Sequence, residues 1–283
     1  MNDNFNSKNA RISVYTDDFN KRLRIDDYEG TIADVVKLVE TQIHGWVEKL
    51  IVKSREKDLQ YFLAQGFIQE AFINGYFKGE DMYFVVKYLT TKRSVSRKWS
   101  EEEDILKTIL NSPRESKTSA GPAIEFATHD DARDLAGLYS EVFKVYPTAI
   151  NKAEFVLNTM EEGTVYAFIR ENEKIVSAAS AEINMKYKNA ELTDCASLKD
   201  AEGKGYMKKL VAALEQRLIL NNIHSLYSIA RAESISMNKV FHQLGYQYSG
   251  RMINNCYVYS GIEDMNVWWK VEEGGVRREK LEE

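Results

Sequence analysis

The sequence predicts a mixed α/β (α+β) chain, a mixed central sheet flanked by helices, and three observations carry that prediction. The first is a strand, a glycine turn and a helix in succession. Ala190 to Leu198 (AELTDCASL) has the content of a short buried strand, and Leu210, Val211, Leu214 and Leu218 recur downstream at helical spacing. The second is another strand-to-helix passage, in which Ser225 to Ala232 (SLYSIARA) leads into Met237 to Tyr246. The third is an internal echo. Tyr61-Phe62-Leu63-Ala64-Gln65-Gly66-Phe67 parallels Val240-Phe241-His242-Gln243-Leu244-Gly245-Tyr246, and Glu80-Asp81-Met82 with Lys87 parallels Glu263-Asp264-Met265 with Lys270. Such repeats signal stacked or paired units.

In chain order, residues 1–92 hold the first copy of the echo, read as helix, glycine-aromatic turn, strand, turn, strand. Residues 93–122 are polar and contain Pro113, Pro122 and the stretch SPRESKTSAGP; they read as a linker, with Glu101 to Leu110 as a short helix. Residues 123–270 form the larger unit. It opens with a helical region at Asp131 to Phe143 and strands at Val165 to Arg170 and Ile175 to Asn184, before the glycine turn. The tail 271–283 is charged and expected to fray.

At 283 residues and 44% hydrophobic content, the chain can build a sizeable core and more than one unit. A net charge of -5 without a basic block argues against nucleic acid and suits a cationic, amine-bearing partner. Two cysteines, Cys195 and Cys256, and no apolar N-terminal run predict a reduced, cytoplasmic setting away from membranes.

The glycine turn, Glu202-Gly203-Lys204-Gly205-Tyr206-Met207, reads as a phosphate cradle. Two glycines let the backbone approach a ligand closely, and the free N–H groups of a helix's first turn favour a phosphate or pyrophosphate. The spacing is neither the dinucleotide fingerprint nor a P-loop. It resembles the acyl-CoA-binding motif of the GCN5-related N-acetyltransferase (GNAT) superfamily, over Leu192 to Glu215. The resemblance implies a GNAT fold in which the main chain of Gly203, Lys204, Gly205, Tyr206 and Met207 binds the pyrophosphate of acetyl-CoA. Glu202 and Met207 depart from the usual motif, which has Arg or Gln and then a small residue there. The segment Met237 to Tyr246 is similar to the superfamily's later helix and its L-G-aromatic end, which makes Asn238 a candidate for the pantetheine arm. Phe241 fills the position where the superfamily often has a tyrosine general acid. Lacking a hydroxyl, it leaves proton delivery to water or to His242 or Tyr246, with His242 expected on an exposed helix face. Ala196, Ser197 and Leu198 are expected to offer main-chain groups to the acetyl carbonyl and the pantetheine. By the same resemblance the N-terminal segment is a partial GNAT-like half-domain without the cradle. Whether it pairs with the catalytic domain or with a second subunit in a homodimer stays open.

The whole chain resembles one subgroup, the β-lysine N6-acetyltransferases, through Thr193 to Leu198, Ala230-Arg231-Ala232, Met237-Asn238, Tyr146-Pro147 and the block GFIQEAFINGYFKGEDMYFVVKYL. This implies transfer of acetyl from acetyl-CoA to the terminal amine of (3S)-3,6-diaminohexanoate in a ternary complex, without a metal. Another small diamine, such as lysine or a polyamine, and a non-catalytic acyl-CoA-binding module remain as alternatives. The transfer needs a neutral amine, whereas an alkyl ammonium has a pKa of about 10, so a carboxylate or a water chain must take a proton. Asp194 is the first candidate, with Glu182 and Glu191 as alternatives. Strand alternation puts Asp194 on the face of Leu192 and Ala196, opposite Glu191 and Thr193, so that only one of Asp194 and Glu191 meets the substrate. A substrate carboxylate calls for a guanidinium, and Arg231, leaving its strand beside the expected meeting point, is the candidate. Tyr146 is expected to line the acceptor pocket.

Overall fold

The computed structural model describes residues 2–114, 121–146, 148–258 and 261–272. Pro147, part of SPRESKTSAGP and the tail beyond 272 lie outside them. The N-terminal half runs β1 (Asn2–Asn6), β2 (Ala10–Asp17), β3 (Arg22–Gly30), α1 (Ile32–Glu40), β4 (Lys49–Arg55), α2 (Glu56–Ala64), β5 (Ile68–Phe77) and β6 (Glu80–Tyr88). A short helix α3 (Thr91–Ser94) and the longer α4 (Trp99–Leu110) connect it to the C-terminal half. That half runs β7 (Glu125–Phe126), α5 (Ala132–Val142), α6 (Ala153–Glu161), β8 (Val165–Glu171), β9 (Lys174–Asn184), β10 (Asn189–Ser197), α7 (Tyr206–Leu220), β11 (Ser225–Arg231), α8 (Ile235–Gln243), β12 (Gln247–Val258) and β13 (Gly261–Val271). Among the described residues no helix is long and apolar enough to cross a membrane.

The strands form two mixed sheets, ordered β1-β2-β3-β4-β6-β5 and β7-β8-β9-β10-β11-β13-β12. Read from β8, the second order repeats the first strand for strand, with α1 and α2 in the places of α7 and α8. The duplication is therefore longer than the echo of residues 61–87 suggests. Its chemistry is visible at the echoed turns. Phe67 N–H donates to the carbonyl of Phe62 and Tyr246 N–H to that of Phe241, each across a glycine of left-handed backbone, Gly66 at φ 81° and Gly245 at φ 89°. This is the Schellman ending, and an L side chain is strained there. The glycine cradle has no counterpart, since β3 passes through Gly30 and Thr31 directly into α1.

Leu23 and Ile25 of β3 and Leu50 and Val52 of β4 fill a core under α1 and α2 with Val35, Val39 and Phe62. Each such buried side chain contributes about 1.5–3 kcal/mol. The other face of this sheet is covered by the second half. Ile51, Ile73, Met82 and Phe84 share one core with Tyr227, Met252, Met265 and Trp269. Strand β5 crosses β12 so closely that a Cβ at Gly250 would sit 2.0 Å from the Glu70 carbonyl oxygen. Buried polar bonds fasten the seam: Lys49 Nζ donates to the Ile253 carbonyl at 2.8 Å, and Asn189 Nδ2 to that of Tyr76 at 2.8 Å. The N-terminal half thus closes over the sheet of its own chain.

Candidate active site

Strands β10 and β11 run parallel, but they pair only from Asn189 to Glu191 against Ser225 to Tyr227. One step on, the Ser228 hydroxyl donates to the Leu192 carbonyl at 2.7 Å. Beyond it the strands part, and a cavity of about 750 Å³ opens at the splay. Its walls include Glu182, Glu191, Asp194, Tyr146 and Phe241 from the C-terminal half, and Arg24 and Lys53 from the N-terminal half. A second cavity of about 680 Å³ shares Arg24, Lys53, Glu182, Glu191 and Tyr227 as lining.

Strand alternation fails at the place where it decides the site. Thr193 pairs with Ser180 and Ala196 with Ala178, so two residues, Asp194 and Cys195, stand opposite Ala179 alone. This is a β-bulge, with Asp194 in left-handed backbone at φ 49°. The bulge reverses the side-chain order: Leu192 packs under α7, whereas Ala196 packs with Ala132 and Tyr139 of α5 on the opposite face. The expectation that Asp194 and Glu191 point to opposite faces is corrected, because both line the cavity. Asp194 is buried, its Oδ1 accepting from Tyr146 Oη at 2.7 Å and its Oδ2 from Ser180 Oγ at 2.6 Å. Burial raises its pKa against those two hydrogen bonds.

Glu182 on β9 and Glu191 on β10 are direct cross-strand partners. Glu182 is accessible from within the cavity although protein surrounds it. Burial pushes its pKa up to about 8, reinforced by the carboxylates of Glu191 and Asp194. Burial raises Glu191 too, opposed by Arg24 and Lys53. Two like charges this close cannot both ionise freely, so the pair holds a proton near neutral pH.

The glycine turn follows β10 after a short 3-10 turn, Lys199–Ala201. Gly203 and Gly205 both adopt left-handed backbone, at φ 73° and 75°, and Gly205 is the N-cap of α7. Among the described residues, the N–H groups of Gly203, Lys204, Gly205, Tyr206 and Met207 have no main-chain acceptor. A Cβ at either glycine would meet nothing within 4 Å, so the space beside them is open. Free donors, open space and the N-terminus of a 15-residue helix fit a pyrophosphate. Glu202 is exposed beside them, and Lys204 pairs with Glu171 at 3.2 Å.

Other expected ligands are engaged elsewhere. Asn238 is fully buried; its Nδ2 donates to the carbonyls of Arg231 at 2.9 Å and Ser234 at 2.7 Å, and its Oδ1 accepts from Asn266 Nδ2 at 3.0 Å and Trp268 Nε1 at 2.7 Å. Its bonding capacity is used in locking α8 to β13, which leaves nothing for a pantetheine arm. Leu198 donates its N–H to the Val176 carbonyl at 2.8 Å and accepts from Ala201 N–H at 2.8 Å, so its main chain is also committed. The Ala196 carbonyl accepts from Ser177 Oγ at 3.3 Å, and Ser197 Oγ lies 2.7 Å from Ser177 Oγ. Arg231 lines the cavity, yet its Nε and Nη2 form a two-pronged pair with Glu263 at 2.6 and 2.8 Å. His242 is buried rather than exposed, its Nε2 3.0 Å from the Ser112 carbonyl, and Tyr246 is enclosed in the core under α7; neither lines the cavity.

The residues that the sequence reading missed come from far along the chain. Arg24 Nε and Nη2 donate to Asp26 at 2.7 and 3.1 Å, and Lys53 Nζ lies 2.8 Å from the same Asp26 carboxylate. A faint signal existed in Arg22-Leu23-Arg24-Ile25-Asp26: if Leu23 and Ile25 fill a core, the alternate charges face something else. Ser180, the second partner of Asp194, carried no signal, since only the register brings it there.

Comparison with known proteins agrees with this architecture. The model of the Acetyltransferase (GNAT) family matches residues 131–246. N-acetyltransferase YodP of Bacillus subtilis is 35% identical over 257 residues, 90% of this chain and 94% of that protein. A Beta-lysine N(6)-acetyltransferase of Methanosarcina mazei is 33% identical over 73% of this chain and 84% of its own length, and one of Methanococcus maripaludis 32% identical over 92% and 96%.

Proposed function

As a member of the GNAT family, in its β-lysine acetyltransferase subgroup, the chain is an acetyl-transferring enzyme, and we propose that it moves acetyl from acetyl-CoA to the N6 amine of (3S)-3,6-diaminohexanoate. The observation that carries the reading is the cross-strand pair Glu182 and Glu191 at the foot of the β10–β11 splay. An ammonium entering the cavity meets carboxylates, one of which has a pKa of about 8, so that its ionised form, increasingly populated as pH rises toward 8, is a base matched to an amine. Two relatives named for β-lysine support the acceptor.

In this reading acetyl-CoA supplies the activated acetyl group, with its pyrophosphate on the main chain from Gly203 to Met207. Its acyl arm runs along the edge of β10 that β11 leaves unpaired. Glu182 takes the proton from the N6 ammonium, directly or through water, and Glu191 keeps the Glu182 pKa high. Asp194, fixed by Tyr146 and Ser180, orients the amine. The free amine then forms its bond to the acetyl carbon as the carbon–sulfur bond breaks, the sulfur leaves with the electron pair, and the nitrogen releases its second proton to solvent to give the neutral amide. With Phe241 lacking a hydroxyl and His242 and Tyr246 turned away, the thiolate takes its proton from solvent. The test is product regiochemistry: mass spectrometry and NMR should place one acetyl on N6 of β-lysine, and acetylation on N3 would overturn the arrangement. A different small diamine remains the second reading, because the carboxylate pair alone selects an ammonium and not a particular chain.

A further inference from the structure

We propose that the N-terminal half-domain builds a carboxylate subsite of the acceptor pocket from Arg24 and Lys53. The inference rests on the reading of the acceptor as a diamino acid, and it gives the duplicated half a role in substrate choice.

One charge is left over on the N-terminal wall of the cavity. Arg22 and Lys49, buried cations of the same sheet, each have a carboxylate of their own, Asp17 at 2.7 Å and Glu70 at 2.7 Å. Arg24 and Lys53 instead share a single one, Asp26. This wall of the cavity therefore carries one net positive charge. Across the cavity stand Glu182, Glu191 and Asp194, and among the described residues no lysine or arginine lies within 4.0 Å of any of them. The two walls, opposite in sign, sense each other, since Arg24 and Lys53 hold the Glu191 pKa down against burial, yet among the described residues they form no ion pair and leave room between them for a ligand that carries both charges. A zwitterion with ammonium groups toward the C-terminal half and a carboxylate toward the N-terminal half is the complement.

The donors are in hand. The Asp26 carboxylate occupies two of the five guanidinium N–H groups of Arg24, and Asp26 and the Tyr76 hydroxyl occupy two of the three on Lys53. The unused hydrogens suit a carboxylate, for which a guanidinium offers a matched fork. Asp26 acts as a positioning residue that holds both cations at the cavity wall. The other guanidinium groups on the cavity are satisfied within the protein, Arg231 by Glu263 and Arg22 by Asp17.

The experiment compares kcat/KM for β-lysine with that for 1,4-diaminopentane, which is β-lysine without its carboxyl group. In the Arg24→Gln protein the ratio of the two should fall at least 30-fold, mostly through KM for β-lysine, and Arg24→Lys should recover part of it. If Arg24→Gln fails to fold, Lys53→Met carries the same comparison. A ratio equal to that of the wild type, with both acceptors losing activity in proportion, would assign these residues to structure alone and overturn the subsite. A wild-type enzyme that prefers 1,4-diaminopentane would instead sink the diamino-acid reading, and the subsite with it.

Discussion

Glu182 and Glu191 stand opposite each other on antiparallel β9 and β10, both facing the cavity, and burial, reinforced by the Glu191 charge, holds Glu182 protonated to about pH 8. The catalytic limb should show it. The wild-type kcat/KM should rise with pH through about 8 as the base form appears. Glu182→Gln should lower kcat by about 10²-fold or more, the usual worth of a general base, and remove that limb. A pH-rate series on both proteins checks this.

The same pair sets a stability trend. The Glu182 pKa is raised in the folded chain above its ordinary value of 4.5. The folded state therefore keeps a proton that the unfolded chain releases in this interval. The associated stability is complete below the ordinary value and is lost as pH rises through about 8. The melting temperature should fall between pH 6 and 9, and Glu182→Gln should flatten that fall in a thermal scan.

Asn238 separates a structural from a ligand role. Asn238→Ala removes four buried hydrogen bonds at once and leaves their partners unsatisfied, at a cost of about 2–4 kcal/mol. Denaturant unfolding should register that loss, while calorimetry on the protein that stays folded should give an acetyl-CoA affinity close to wild type.

In the proposed reading the pyrophosphate is held by backbone rather than by side chains. Gly205→Ala places a Cβ in left-handed backbone, a strain of about 1–2 kcal/mol, at the N-cap of α7. Acetyl-CoA should bind about tenfold more weakly by calorimetry, and KM for the acceptor amine should move much less.

Cutting the chain at Ala123 would uncover Tyr227, Met252, Met265 and Trp269, which share a core with the N-terminal half. Size-exclusion chromatography should find the shortened chain aggregated, because an apolar sheet face is left bare.

Local pattern made some features readable in the sequence. The glycine turn before α7, that helix and the echoed glycine-aromatic turns each depend on residues within one short segment, and the structure has them where Gly203, Gly205, Gly66 and Gly245 pointed. What depended on register was not readable. A one-residue bulge at Asp194 overturned the alternation that separated it from Glu191. Asn238 looked like a ligand because its partners, Asn266 and Trp268, lie about thirty residues away on another strand. Arg24 and Lys53 reach the cavity only because the duplicated half folds back over the splay, which no window of sequence contains.

The central claim, that this cavity acetylates a diamino acid on its terminal amine, is tested most directly by a free-thiol release assay with acetyl-CoA and β-lysine, α-lysine or spermidine as acceptor. Turnover with β-lysine is expected at a kcat/KM well above that of the other two. Preference for α-lysine or spermidine, or release of thiol with none of the three, would contradict it.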